Sequence, residues 1–183
     1  MSFSAPLLRS IVNGINGTFV KNKQINYFRG VIDQFRKEDY MDLLEYFKVS
    51  KPDRVSSYQT LNNYGYSKYR LFNNKHYEIN MIEWNKGAKS TIHNHSANGC
   101  VIKLISGGLI EDKFANPGNH EPYTSKMIMK HTKRNIIVPI HSFNKTRTHS
   151  YYIDGFHRIT NINNGKSYSL HFYAPPNFVP EVY

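Results

Sequence analysis

From Tyr66 to Tyr173 the sequence breaks into short runs of β-branched, aromatic and aliphatic residues separated by turn signals, and nothing else in the chain constrains its fold as much. The runs fall at residues 67–72, 77–84, 99–105, 109–114, 135–138, 155–161 and 167–173. Asn73-Asn74, Asn116-Pro117-Gly118 and Asn163-Asn164-Gly165 punctuate them as turns. Many short strands at this spacing predict a mainly β sandwich or small barrel, and a closed double sheet can hold a ligand in its mouth.

The first third has a helical pattern instead. Ser4 can cap a short helix that begins at Ala5-Pro6, with proline tolerated in the first turn. Phe28, Val31, Ile32 and Phe35 recur at helical spacing across residues 25–35, and a third helix is expected over 40–47 with Asp39 as its cap. These apolar stripes read as core, so the helices are expected to pack outside the barrel. A chain of 183 residues suits one domain, with 1–63 mostly helical and 64–176 forming the barrel, and can bury a core without staples.

The chemistry concentrates in Gly87-Ala88-Lys89-Ser90-Thr91-Ile92-His93-Asn94-His95-Ser96-Ala97-Asn98-Gly99-Cys100. On a β-strand, alternation would point His93 and His95 to one face, where both imidazoles can reach one ion. Imidazole suits iron, copper, nickel and zinc. His-x-His alone is a weak signal in a chain with nine histidines.

The pattern continues as Gly87, five residues, His93-x-His95, four residues, Cys100, six residues and Gly107. It resembles the first motif of the cupins, double-sheet jelly-roll-like barrels, with Cys100 where most cupins carry a metal-binding glutamate. Gly155-Phe156-His157-Arg158-Ile159-Thr160-Asn161 resembles the second cupin motif and offers His157 as a third ligand. Together with Ser169-Leu170-His171-Phe172-Tyr173, followed by Ala174-Pro175-Pro176, the chain is similar to the thiol dioxygenases, specifically the cysteine dioxygenase family. The likeness is close from about Tyr64 to Pro176 and general before it.

That resemblance implies one Fe(II) per chain on His93, His95 and His157, with L-cysteine and O2 as substrates and cysteine sulfinic acid as product, a step of cysteine catabolism toward taurine. It also implies a thioether crosslink between Cys100 and Tyr173. Without the crosslink Cys100 would be a small buried hydrophobe on a core strand. Ser169, His171 and Tyr173 alternate, so one strand aims all three inward. The serine can then orient the imidazole and the imidazole can order the phenol. Three neutral histidines leave a divalent ion its full charge, which favours anionic substrate ligands.

The chain departs from the family at the substrate clamp. The family's strand before the metal motif usually reads Tyr-x-Arg, its arginine gripping the substrate carboxylate. Here Tyr66-Ser67-Lys68-Tyr69-Arg70 puts Lys68 at that place and Arg70 two residues on, so Tyr66, Lys68 and Arg70 are the candidate substrate-binding residues. Trp84, the only tryptophan, is expected in the barrel core. His76, His120, His131, His141 and His149 read as ordinary polar residues.

Two other functions stay open on sequence: a dioxygenase of another small thiol, such as 3-mercaptopropionate or cysteamine, and a non-enzymatic metal-binding cupin. Relatives that prefer other thiols generally carry glycine in place of Cys100, and a pure binder does not need the phenol of Tyr173.

A single cysteine cannot form an intramolecular disulfide, so a reducing, cytoplasmic setting is expected. Leu7, Leu8, Ile11 and Val12 are interrupted by Arg9, Ser10, Asn13 and Gly14, which suits neither a signal peptide nor a membrane span. The net charge of +11 is spread thinly, so no nucleic-acid partner is expected, and a monomer is the default.

Overall fold

The computed structural model describes residues 6–22, 25–50, 64–96, 99–114, 131–137, 149–151, 156–180 and 182. Three helices lead: α1 (Pro6–Asn22), α2 (Ile25–Ile32) and α3 (Lys37–Ser50). Eight strands follow: β1 (Tyr66–Asn73), β2 (Glu78–Trp84), β3 (Cys100–Ser106), β4 (Leu109–Phe114), β5 (His131–Ile137), β6 (His149–Tyr151), β7 (Phe156–Asn161) and β8 (Ser167–Tyr173). They form a five-stranded sheet in the order β1-β2-β8-β3-β6 and a three-stranded sheet in the order β5-β4-β7, with every pairing antiparallel. This is the expected cupin double sheet.

The larger sheet is covered on both faces, so β2, β3 and β8 are buried along nearly their whole length. Ile79, Met81, Val101, Ile105, Leu170 and Phe172 face outward and join a core with Leu8, Ile11, Ile15, Phe28, Ile32, Leu44 and Phe47 of the helices. Their alternate neighbours Ile82, Trp84, Cys100, Ile102 and Leu104 face inward with Leu109 and Ile159 of the smaller sheet. Each large apolar side chain fully buried in this way contributes roughly 1.5–3 kcal/mol. The helices therefore seal the outer face of the sheet and leave its inner face for the site.

A polar clasp fixes the helices to the barrel. Lys103 faces outward on β3, is 1% exposed, donates to Asp33 Oδ1 at 3.0 Å and lies over the Tyr40 ring. The Tyr40 hydroxyl donates in turn to the Ile32 carbonyl at 2.6 Å, closing α2 on α3. Burial pushes the Tyr40 phenol well above its usual range, with Asp33 and Asp39 adding to it, so it stays a donor.

The elements differ from the sequence expectations mostly in their ends. α1 extends to Asn22 because the apolar stripe continues through Ile15, and Gly14 serves close packing there: a Cβ on it would lie 3.0 Å from Val31 of α2. α2 stops at Ile32, where the bonds from Gln34 and Phe35 shorten to the third residue back. α3 begins at Lys37, and Asp39 caps it from inside its first turn by accepting the Arg36 N–H at 2.8 Å. The β5 expectation at 135–138 was short, since the strand starts at His131. β6 has three residues and no apolar alternation, so only its pairing with β3 reveals it. Ser4, Ala5, Asn116-Pro117-Gly118, His120, His141 and Gly155 lie outside the described residues, as do the side chains of His131 and His149. Among the described residues no helix is long and apolar enough to cross a membrane.

Gly107 of the first motif makes the turn from β3 to β4, with φ of +91° and its Cα facing Ser167. A Cβ there would come within 2.7 Å of Ser167 Cβ, and the φ itself disfavours any side chain. Gly107→Ala is expected to destabilise the fold by more than about 2 kcal/mol, measured by urea unfolding. A loss within error would show that this turn relaxes freely.

Candidate metal centre

The segment that carries His93 and His95 is not a regular strand. It touches β7 at isolated bridges, Lys89 to Thr160 and His93 to His157. The second bridge holds through two backbone bonds, His93 N to His157 O at 3.0 Å and His157 N to His93 O at 2.9 Å. Ser90 Oγ accepts the Ile159 N–H at 3.0 Å and fixes the same edge. Thus His93 and His157 are cross-strand neighbours, and His95 reaches the same point by the turn of the chain, not by strand alternation.

The three imidazoles converge. His157 Nε2 lies 3.1 Å from His95 Nε2 and 3.1 Å from His93 Nε2. The outward nitrogens decide what those contacts are: His157 Nδ1–H donates to Glu111 Oε1 at 3.0 Å and His93 Nδ1–H to the Thr91 carbonyl at 3.0 Å. Burial drives the pKa of His93 below the ordinary imidazole value and those of His95 and His157 well below it, so all three rings are neutral. The Nε2 atoms of His93 and His157 then face each other as two bare lone pairs, which repel unless a cation lies between them. Neighbouring nitrogens on one ion stand roughly 3 Å apart when each bond is about 2.0–2.1 Å. These three imidazoles are the residues that would hold a divalent ion.

Behind the imidazoles stands Glu111, fully buried on β4, which also accepts from Asn135 Nδ2 at 2.9 Å. It bonds the outer nitrogen of His157 and fixes the orientation of that ring. The sequence analysis missed it. Its inward parity, two residues after Leu109, is the signal that could have found it.

Opposite the imidazoles, β8 presents a polarised chain. Trp84 Nε1–H donates to Ser169 Oγ at 2.8 Å, and Ser169 Oγ lies 2.8 Å from His171 Nε2. With the indole occupying an acceptor site of Ser169, the serine proton goes to His171 Nε2, and His171 Nδ1–H donates to the Tyr173 oxygen at 3.1 Å. Burial holds His171 well below the ordinary imidazole value, so the ring stays neutral. Trp84 is 2% exposed as expected of core, yet it also starts this chain, and Tyr66 stacks on it at 4.6 Å. Cys100 is 1% exposed and pairs with Tyr173 across β3 and β8. Burial raises its thiol pKa strongly, and the Tyr173 hydroxyl bonded to the sulfur partly offsets this.

These groups line one cavity of about 330 Å³, at the small end of ligand pockets. Ile82, Ile102 and Ile159 give it apolar walls, and Phe178, Val179, Pro180 and Val182 of the C-terminal segment also line it, with Val182 bridged to His93. Lys68 lines the cavity; its Nζ donates to Glu78 Oε1 at 3.0 Å and sits 4.6 Å from the Tyr173 ring centroid. Arg70 is not among the described lining residues. Its Nη2 reaches Glu78 Oε2 at 3.3 Å and Asn177 Oδ1 at 2.9 Å. Asn161 of the second motif is structural, with its amide donating to the Asn85 carbonyl at 2.8 Å and its Oδ1 accepting from Ser167 at 2.7 Å. His76 stands in the turn before β2, away from the cavity.

The family profile described as Cysteine dioxygenase type I matches residues 20–181. The chain belongs to the cysteine dioxygenase type I family. It is 26% identical over 148 residues to cysteine dioxygenase type 1 of Homo sapiens, covering 79% of this chain and 68% of that protein. Over the same coverage it is 25% identical to cysteine dioxygenase type 1 of Danio rerio. Among solved structures, the DMSP lyases RdDddP and RnDddQII superpose with a TM-score of 0.59 at 11% identity over 97% of each chain, a likeness of fold alone. Membership makes this cysteine dioxygenase relative a thiol dioxygenase of the cupin type.

Replacing Glu111 with Gln removes the carboxylate that fixes His157. The variant is expected to bind Fe(II) about 10–100-fold more weakly in chelator competition, with its fold retained by circular dichroism. Unchanged affinity would mean that Glu111 only fills space.

Proposed function

We propose that this protein is an Fe(II)-dependent cysteine dioxygenase that adds both atoms of O2 to the sulfur of L-cysteine, giving cysteine sulfinic acid. The observation that carries the reading is the ligand set: three neutral imidazoles with no carboxylate among them, facing the cavity that Lys68 also lines. Such a set leaves an ion its full positive charge and favours a thiolate, while Lys68 answers a carboxylate. Thiolate plus dioxygen makes sulfinate with no further reactant.

Fe(II) on His93, His95 and His157 would supply dioxygen activation and acidify the substrate thiol. The chain's own residues do the rest. The Trp84-Ser169-His171 chain spends its last donor on the Tyr173 oxygen, which fixes the phenol at the cavity wall with its own proton turned toward Cys100. Lys68 meets the substrate carboxylate, with Arg70 behind it and Tyr66 holding the wall. The apolar walls keep water out and strengthen each of these interactions.

The reading includes a Cys100–Tyr173 thioether, supported by their pairing and by the hydrogen bond between them. Forming it removes the S–H and one ring C–H as two protons and two electrons, with O2 as oxidant. The protein is read as a cytoplasmic monomer with one Fe(II) and no nucleic-acid partner.

Fe(II)-reconstituted protein offered L-cysteine, 3-mercaptopropionate and cysteamine separately is expected to consume O2 and form sulfinate fastest with L-cysteine. A preference for either other thiol would overturn the substrate, and no turnover of any with iron bound would overturn the reaction. Ser169→Ala is expected to lower kcat on the order of 10-fold while Fe(II) affinity holds, since the serine orders the phenol and touches no ligand. Equal loss of iron binding would contradict that division of roles.

A further inference from the structure

Glu78 is the one fully buried acid on the inner face of the larger sheet among the described residues, and it belongs to none of the motifs. It stands on β2 opposite Tyr173 of β8 and carries two ion pairs, Oε1 to Lys68 at 3.0 Å and Oε2 to Arg70 at 3.3 Å. Both cations lie on β1, two residues apart and so on one face. Burying a carboxylate is costly unless it is paired, and here each oxygen has its own cation.

We propose that Glu78 is the positioning residue of the substrate-carboxylate clamp: it holds the Lys68 ammonium, charged, at the cavity wall and so sets the preference for carboxylate-bearing thiols. The proposal rests on the thiol dioxygenase reading of the site and names what makes a lysine serviceable where a forked arginine would serve unaided.

An arginine needs no such help, because its guanidinium stays charged and its planar fork fixes the direction of contact. A lysine is a point charge on a flexible stem, and burial makes it prone to lose its proton. Glu78 answers both weaknesses. Its Oε1 ties down the ammonium, and the Tyr173 ring flanks it from the other side. The groups that act on Lys68 are Glu78 from β2, Arg70 from its own strand, Cys100 from β3, His171 and Tyr173 from β8, and His93 from the 89–96 segment. Of these, Glu78 is the negative group in direct contact. Burial pulls the Lys68 pKa down and Glu78 is the largest influence that restores it. Arg70 keeps the cluster cationic: two positive charges against one negative leave a net charge of +1 for the substrate carboxylate.

Lys68 is charged below its folded pKa and neutral above it, so removing Glu78 moves the loss of charge to lower pH. The substrate thiol and amine also titrate, but they do so alike in L-cysteine and cysteamine. The ratio of the two affinities therefore isolates the clamp.

The test is an anaerobic calorimetric titration of the Fe(II)-loaded protein with L-cysteine, 3-mercaptopropionate and cysteamine, at about pH 6.5 and about pH 8.5. Wild type is expected to prefer the carboxylate thiols by a ratio that holds at both values. In Glu78→Gln that ratio should fall about tenfold further at the higher pH. In Glu78→Gln combined with Lys68→Arg it should become independent of pH again. A Glu78→Gln protein with the wild-type ratio at both values overturns the proposal, as does a parallel loss of affinity for all three thiols. Should that variant not fold, Glu78→Asp keeps the charge and shortens its reach: a lowered ratio supports the proposal and an unaltered one overturns it. If wild type prefers 3-mercaptopropionate over L-cysteine, the substrate reading fails while the clamp stands; if it prefers neither carboxylate thiol over cysteamine, both fail.

Discussion

The register of β8 between β2 and β3 decides which side chains meet in this protein. In that register Tyr173 lies beside Cys100 and Glu78, His171 beside Ile102 and Asn80, and Ser169 beside Leu104 and Ile82. A slip of one residue would send Ser169, His171 and Tyr173 into the helix-packed core and bring Leu170 and Phe172 into the cavity. The outward partners prevent it. Leu170 and Phe172 are wholly buried under the helices, with Phe28 ring-to-ring against Phe172 at 6.3 Å. The helices at the start of the chain thus act on the site at a distance, by pinning the strand that carries it.

Several polar groups of the site are each held by a second group one layer away. His157 leans on Glu111, His93 on the Thr91 carbonyl, His171 on Ser169, Ser169 on Trp84, and Lys68 on Glu78. In a water-poor interior this matters twice. The supporting bond fixes the tautomer or charge state, and it also removes the cost of leaving a buried donor or acceptor unmet. The inner face of the cavity can then stay apolar except where chemistry needs a polar atom.

The two halves of the site come from different sheets. The imidazoles belong to the 89–96 segment and to β7 of the smaller sheet, whereas the phenol, the thiol and the lysine belong to the larger one. The cavity between them is therefore a property of sheet packing. The C-terminal residues that line it are flanked by two ties, Arg70 to Asn177 and the Val182 bridge to His93.

Much of this was legible in the sequence, because the informative patterns are local. Turn residues and two-residue alternation mark strands wherever they fall, so seven of the eight described strands could be placed, and parity alone put Ser169, His171 and Tyr173 on one face. Motif spacing brought His157 together with His93 and His95 in anticipation. Alternation was the wrong reason for the pairing of His93 with His95, since that segment holds only isolated bridges. What one strand does to another was not legible: β6, the choice of Lys68 over Arg70 at the cavity, and the supporting carboxylates Glu78 and Glu111. A carboxylate in a strand looks the same in sequence whether it faces water or a buried imidazole 46 residues away. Its partner, its burial and hence its charge state exist only once long-range pairing has closed the barrel.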